Sequence, residues 1–82
     1  MEDKLIEIIG EEFEEIDKAE VTDLLASVEA RHVMDESEYN LLSVRFAILR
    51  LAKGDLDEIR RLTEAAKVDF RDVIYWASQE GY

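Results

Sequence analysis

Apolar residues recur every three or four positions along nearly the whole chain, the spacing that gathers them on one face of an α-helix. The first helix is expected from Glu2 to Lys18. At 100° per residue, Leu5, Ile6, Ile9, Phe13 and Ile16 fall within one arc of about 100°. Asp3, Glu7, Glu11, Glu14 and Glu15 lie opposite. Gly10 costs such a helix about 1 kcal/mol relative to alanine and would suit a close helix crossing. A second helix should follow, with Thr22 as its N-cap and Leu24, Leu25, Val28 and His32 turned inward. The pattern leaves open whether a turn or a kink joins the two.

The C-terminal half carries clearer punctuation. Asp35 and Glu38 stand at capping-box spacing, with Met34 placed to staple onto Tyr39. The helix they open is expected to run to Lys53 and stop at Gly54. Nine of the twelve residues from Leu41 to Ala52 are apolar, with Ser43 and Arg50 sharing one strip and Arg45 nearly opposite. A helix apolar on almost all sides belongs at the centre of a fold or at a dimer seam. Asp55 and Glu58 repeat the start signal before Leu56, Ile59, Leu62 and Ala66. Asp69 and Asp72 give it again, with Val68 and Val73 as a staple. Phe70, Val73, Ile74 and Ala77 form the last inward arc, which leaves Tyr75 and Trp76 on its flanks. Proline is absent and only three glycines occur, so breakers are scarce, and no strand-like alternation competes. The expected architecture is all-α: a compact bundle of four or five short helices without a sheet, one domain over residues 1–82.

Charge changes the picture. Residues 1–38 hold 14 Asp/Glu against three Lys/Arg, whereas residues 39–82 hold seven of each, so the whole net charge of −11 belongs to the first half. Within a continuous first helix, Glu7–Glu11 and Glu11–Glu15 are like-charged pairs four apart, each destabilising by roughly 0.2–0.5 kcal/mol. Glu14–Lys18 is the attractive one. A strip that repels itself gains energy against a cationic surface, and its field speeds encounter. Asp3, Glu7, Glu11, Glu14 and Glu15 are therefore the expected docking residues for a basic protein, of the sort that otherwise holds nucleic acid. Direct nucleic-acid binding is disfavoured by a pI near 4.4, because phosphate contacts need clustered Lys and Arg. Anionic membranes are disfavoured for the same reason. Tyr75 and Trp76, at the edge of a thin core, form a second expected contact surface, for a homodimer or for an accessory-subunit role. An 82-residue core without disulfide or metal also favours self-association.

Catalytic apparatus is sparse. There is no cysteine, hence neither a thiolate metal site nor a disulfide. No signal-peptide progression and no apolar run of membrane length is read in the sequence, so a cytoplasmic location is the default expectation. Glu11, Glu12 and Glu15, then Glu20 and Asp23, resemble fragments of the magnesium motif of MazG-type nucleotide pyrophosphohydrolases. In that family the two halves lie on different helices with a longer stretch between them; here only four residues intervene. His32 has Glu29 and Glu36 at helical spacing, a weak divalent-metal pattern, and Asp55, Asp57 and Glu58 lack the calcium loop and its glycine. No cofactor and no catalytic residue is expected.

Gly54-Asp55-Leu56, then Lys67-Val68-Asp69-Phe70-Arg71-Asp72-Val73-Ile74-Tyr75-Trp76-Ala77, resembles the end of a group of short bacterial proteins. In these an apolar helix ends in a Gly-Asp pair, and a later Asp-aromatic-Arg-Asp-Val stretch precedes an aromatic and an alanine. The resemblance covers roughly residues 39–82 and implies a bacterial, cytosolic, helical, non-catalytic protein.

Overall fold

The computed structural model describes residues 2–82 and is all-α. Among the described residues it has helices α1 (Asp3–Glu12), α2 (Glu15–Ser27), α3 (Glu38–Ala52) and α4 (Leu56–Gln79), with 3-10 turns at Ala30–His32 and Met34–Glu36. No described residue is in a strand. One apolar core joins all four helices, from Leu5, Ile9 and Phe13 through Val21 and Leu25 to Ile48, Leu49, Ile59, Leu62 and Val73. The central position expected for the apolar third helix is realised: α3 buries Leu41, Val44, Ala47, Ile48, Leu49 and Ala52 and packs most extensively on α4.

The N-terminal boundary differs from expectation. The first helix does not reach Lys18; it ends at Glu12, and Phe13 and Glu14 are extended. That break lets Phe13 bury its ring while the chain reverses, so Val21 and Leu25 face the core. Ile16, assigned inward on a continuous helix, is 84% exposed, and Ile6 is half exposed, whereas Ile8 is buried instead. Glu14, Glu15 and Asp17 gather at the start of α2, where the positive end of the helix dipole favours carboxylates. Thr22 is not a cap: it lies inside α2, and its hydroxyl donates to the Lys18 carbonyl at 2.8 Å. Gly10 marks no crossing, since a Cβ there would meet nothing within 4 Å.

At α3 the cap is Ser37, whose Oγ accepts from the Asn40 amide at 3.2 Å. Asp35 instead adopts a left-handed conformation, and Met34 and Tyr39 stay exposed rather than forming a staple. Lys53 and Gly54 both have positive φ and close the helix as expected. Glycine suits this position twice over: its φ is +81°, and a Cβ would stand 3.1 Å from the Glu12 carbonyl oxygen. Asp55 caps α4 by accepting from the amides of Asp57 and Glu58 at 2.9 and 3.4 Å. The further start signal at Asp69 is also real: this residue is extended within α4, and its carboxylate accepts from the Arg71 amide at 3.0 Å. Val68 is exposed, so no staple forms with Val73.

Arg45 has a role that helical periodicity alone does not reveal. Its side chain is partly buried, with Nε donating to the Leu25 carbonyl at 3.1 Å and Nη2 to the Val28 carbonyl at 2.7 Å. These are carbonyls at the end of α2, whose last turn has no basic residue of its own. α3 thus supplies the cation that the α2 C-terminus lacks. Burial lowers the guanidinium pKa from its ordinary value, opposed by the nearby Glu38 carboxylate, and the group stays charged at any physiological pH. Replacing Arg45 with Met should lower stability by about 2–3 kcal/mol, because two hydrogen bonds from a charged donor are lost at partly buried carbonyls. Arg45→Lys, without the planar fork, should recover only part of it. Urea denaturation midpoints check this; a methionine variant as stable as the parent would refute the clamp.

Candidate protein-interaction surface

Asp3, Glu7 and Glu11 follow one another at every fourth position of α1, so their side chains form a single outward strip. All three are exposed, as are Glu14 and Glu15. The break at Phe13 and Glu14 divides the expected stripe in two. Glu7–Glu11 remains a like-charged pair within one helix, but Glu11–Glu15 does not, because the two residues now lie on different helices. Lys18 pairs with Glu15 at 2.7 Å rather than with Glu14. That hydrogen bond lowers the Glu15 carboxyl pKa from its ordinary value. Glu7 has a looser contact with Lys4 at 3.7 Å. Asp3, Glu11 and Glu14 form no ion pair among the described residues.

The remaining cations are engaged elsewhere, mostly at short range. Arg61 holds Glu58, Lys67 holds Glu64 and Arg71 holds Asp69, all within α4. The Glu58 and Asp69 carboxyls sit below their ordinary pKa values, chiefly through side-chain hydrogen bonds from these arginines. Arg60 is shared between Asp57 at 2.8 Å and Glu20 of α2 at 2.7 Å, and the Glu20 contact raises its pKa. Lys53 reaches Glu80. Arg50 alone approaches α1, and it faces Glu12 at 4.0 Å, away from the outward strip. Glu12 is turned inward, and its Oε2 is buried without a hydrogen bond. The arginines of this chain therefore leave the α1 strip uncompensated.

Trp76 and Tyr75 part company. The guanidinium of Arg61 lies 5.9 Å from the centroid of the Trp76 ring, a cation–π arrangement that covers one face and leaves the residue 38% exposed. Tyr75 is 61% exposed. The carboxylates that resemble a magnesium motif are not assembled: Glu20 is held by Arg60, Glu12 faces Arg50, and Glu11 points outward from a different helix than Asp23. His32 spends Nδ1 on the Glu29 amide at 2.9 Å. Among the described residues no three His, Asp or Glu side chains are grouped to hold a metal ion. None of the described helices is long and apolar enough to cross a membrane. The cap at Ser37 and the clamp at Arg45 are the functional-looking polar contacts that periodicity missed, and both organise the fold.

Comparison with protein families, curated proteins and solved structures finds no match for this chain.

Because the α1 strip repels itself, screening should stabilise the protein. The melting temperature is expected to rise between roughly 20 mM and 500 mM NaCl. Glu11→Gln should raise it at low salt by about 2 °C, the equivalent of a few tenths of a kcal/mol in a domain of this size. Calorimetry at both salt concentrations checks this; a melting temperature that falls with salt would contradict it.

Proposed function

We propose that this chain is a non-catalytic protein-interaction module that docks a basic partner on the acidic face of α1. The observation that supports it most is the unpaired state of Asp3, Glu11 and Glu14 beside a set of arginines already spent within α4 and on α2. Such a strip destabilises the free protein slightly and is relieved by a cationic surface, so binding gains what folding gives up. The relevant partner surface is rich in Lys and Arg, as on a protein that otherwise holds nucleic acid, and docking there would compete with the nucleic acid. Glu7 and Glu15 add to the field although each has a lysine nearby. The resemblance of residues 39–82 points to a bacterial source and a cytoplasmic setting.

Tyr75 supports a second reading, in which the chain is an accessory subunit gripped at its C-terminal aromatics, because its ring is largely exposed. Salt separates the two, since screening weakens charge-driven docking strongly and aromatic contacts little. Immobilised protein should capture a basic partner from its native lysate at about 50 mM NaCl and release it by about 500 mM. The triple variant Glu7→Lys, Glu11→Lys, Glu14→Lys should capture none of it, while Tyr75→Ala should still do so. Capture unchanged by the triple reversal would sink the charge-driven reading.

A further inference from the structure

Glu38, Leu42, Phe46 and Arg50 stand four apart on α3 and form one continuous row along its outer side. None of the four is fully buried, and Leu42 and Phe46 only lean against the core. Glu38 stands near the Arg45 guanidinium but makes no ion pair among the described residues, and the sole one for Arg50 there is its long contact with Glu12. The row reads acid, apolar, apolar, base. Turned end over end, it presents a base to its own acid and an apolar residue to each of its own apolar residues. That is the self-complementarity a two-fold interface requires, in which residue i meets j and j meets i.

We propose that this row is where two copies of the chain pair antiparallel about a two-fold axis. Leu42 of each copy packs on the partner's Phe46, and Glu38 of each meets the partner's Arg50. Rows of this kind run parallel when helices cross at about 50°, the commonest class of helix packing, so the register needs no distortion of α3. The neighbouring groove supports the same occupant. Ser43, Phe46, Arg50, Ile74 and Tyr82 line a depression of about 460 Å³ between α3 and the end of α4. Tyr39 is 77% exposed, about one turn before Leu42 and two before Phe46, and the two-fold axis carries it to the height of that groove on the other copy. A foreign helix would have to reproduce this order of charges and knobs; a second copy has it already. The row shares no residue with the acidic strip of α1, so either surface can fail without the other.

Sedimentation equilibrium at about 0.15 M salt tests the pairing. The parent chain should show twice its 9.5 kDa mass at roughly 100 µM. Glu38→Arg and Arg50→Glu, each alone, should weaken association at least about tenfold by setting like charges opposite one another. An equimolar mixture of these two variants should recover it as a heterodimer, since each end of the mixed pair again has an acid facing a base. Phe46→Glu should remain monomeric, with circular dichroism confirming helix content in every variant. A parent chain that stays at 9.5 kDa would overturn the proposal. So would single variants that associate as tightly as the parent, or a mixture no tighter than its components.

Discussion

The arrangement depends on one charged side chain placed on an otherwise apolar helix. α3 must lie in the middle of the molecule, because most of its residues are hydrophobic, yet it carries Arg45 toward a neighbour. The end of α2 receives that charge through the carbonyls of Leu25 and Val28. Each side satisfies a need of the other: a guanidinium leaving water requires acceptors, and a helix C-terminus requires donors and positive charge. The contact fixes where α2 stops and holds it against α3. The 3-10 turns then lead the chain back to Ser37. With α2 held in this way, Glu20 comes within reach of Arg60, a further polar link between the two halves of the chain.

This division of labour among the cations has a consequence for the surface. Arg61, Lys67 and Arg71 find carboxylates two or three residues away on their own helix. Local pairs of this kind need no loop closure, so they form more readily than distant ones. These cations are saturated where they stand, and the negative surplus of residues 1–38 stays uncompensated, its densest part on α1 and the start of α2. Exposed pairs add little to stability individually; their importance here is that they keep the positive charge of α4 from reaching α1.

Much of the C-terminal half is legible from local chemistry. The Asp55 cap, the stop at Gly54, the restart at Asp69 and the inward set Ile59, Leu62, Ala66 and Val73 all follow from side chains acting on their own backbone. The N-terminal half is less so. Only Gly10 disfavours helix by propensity between Glu2 and Lys18, and it lies inside α1; the extended pair at Phe13 and Glu14 forms because it buries Phe13 and turns Val21 inward. The cluster Glu14, Glu15 and Asp17 is a local sign of a helix start there. Arg45 could not be assigned from sequence at all, since its partners lie 17 and 20 residues away. Of the candidate contact residues, the exposure of Asp3, Glu7, Glu11, Glu14 and Glu15 follows directly from the pattern. Their separation onto two helices, and the shielding of Trp76 by Arg61, depend on the tertiary fold.

The most direct test of an uncompensated anionic face is to ask where a cation goes when one is offered. Isotope-labelled protein titrated with a lysine-rich peptide at about 20 mM salt reports this residue by residue through its amide chemical shifts. Changes are predicted to concentrate from Asp3 to Glu14 and to be small along α4, where Asp57, Glu58, Glu64 and Asp69 already have cationic partners. Shifts concentrated on α4, or none on α1 at that salt concentration, would contradict it.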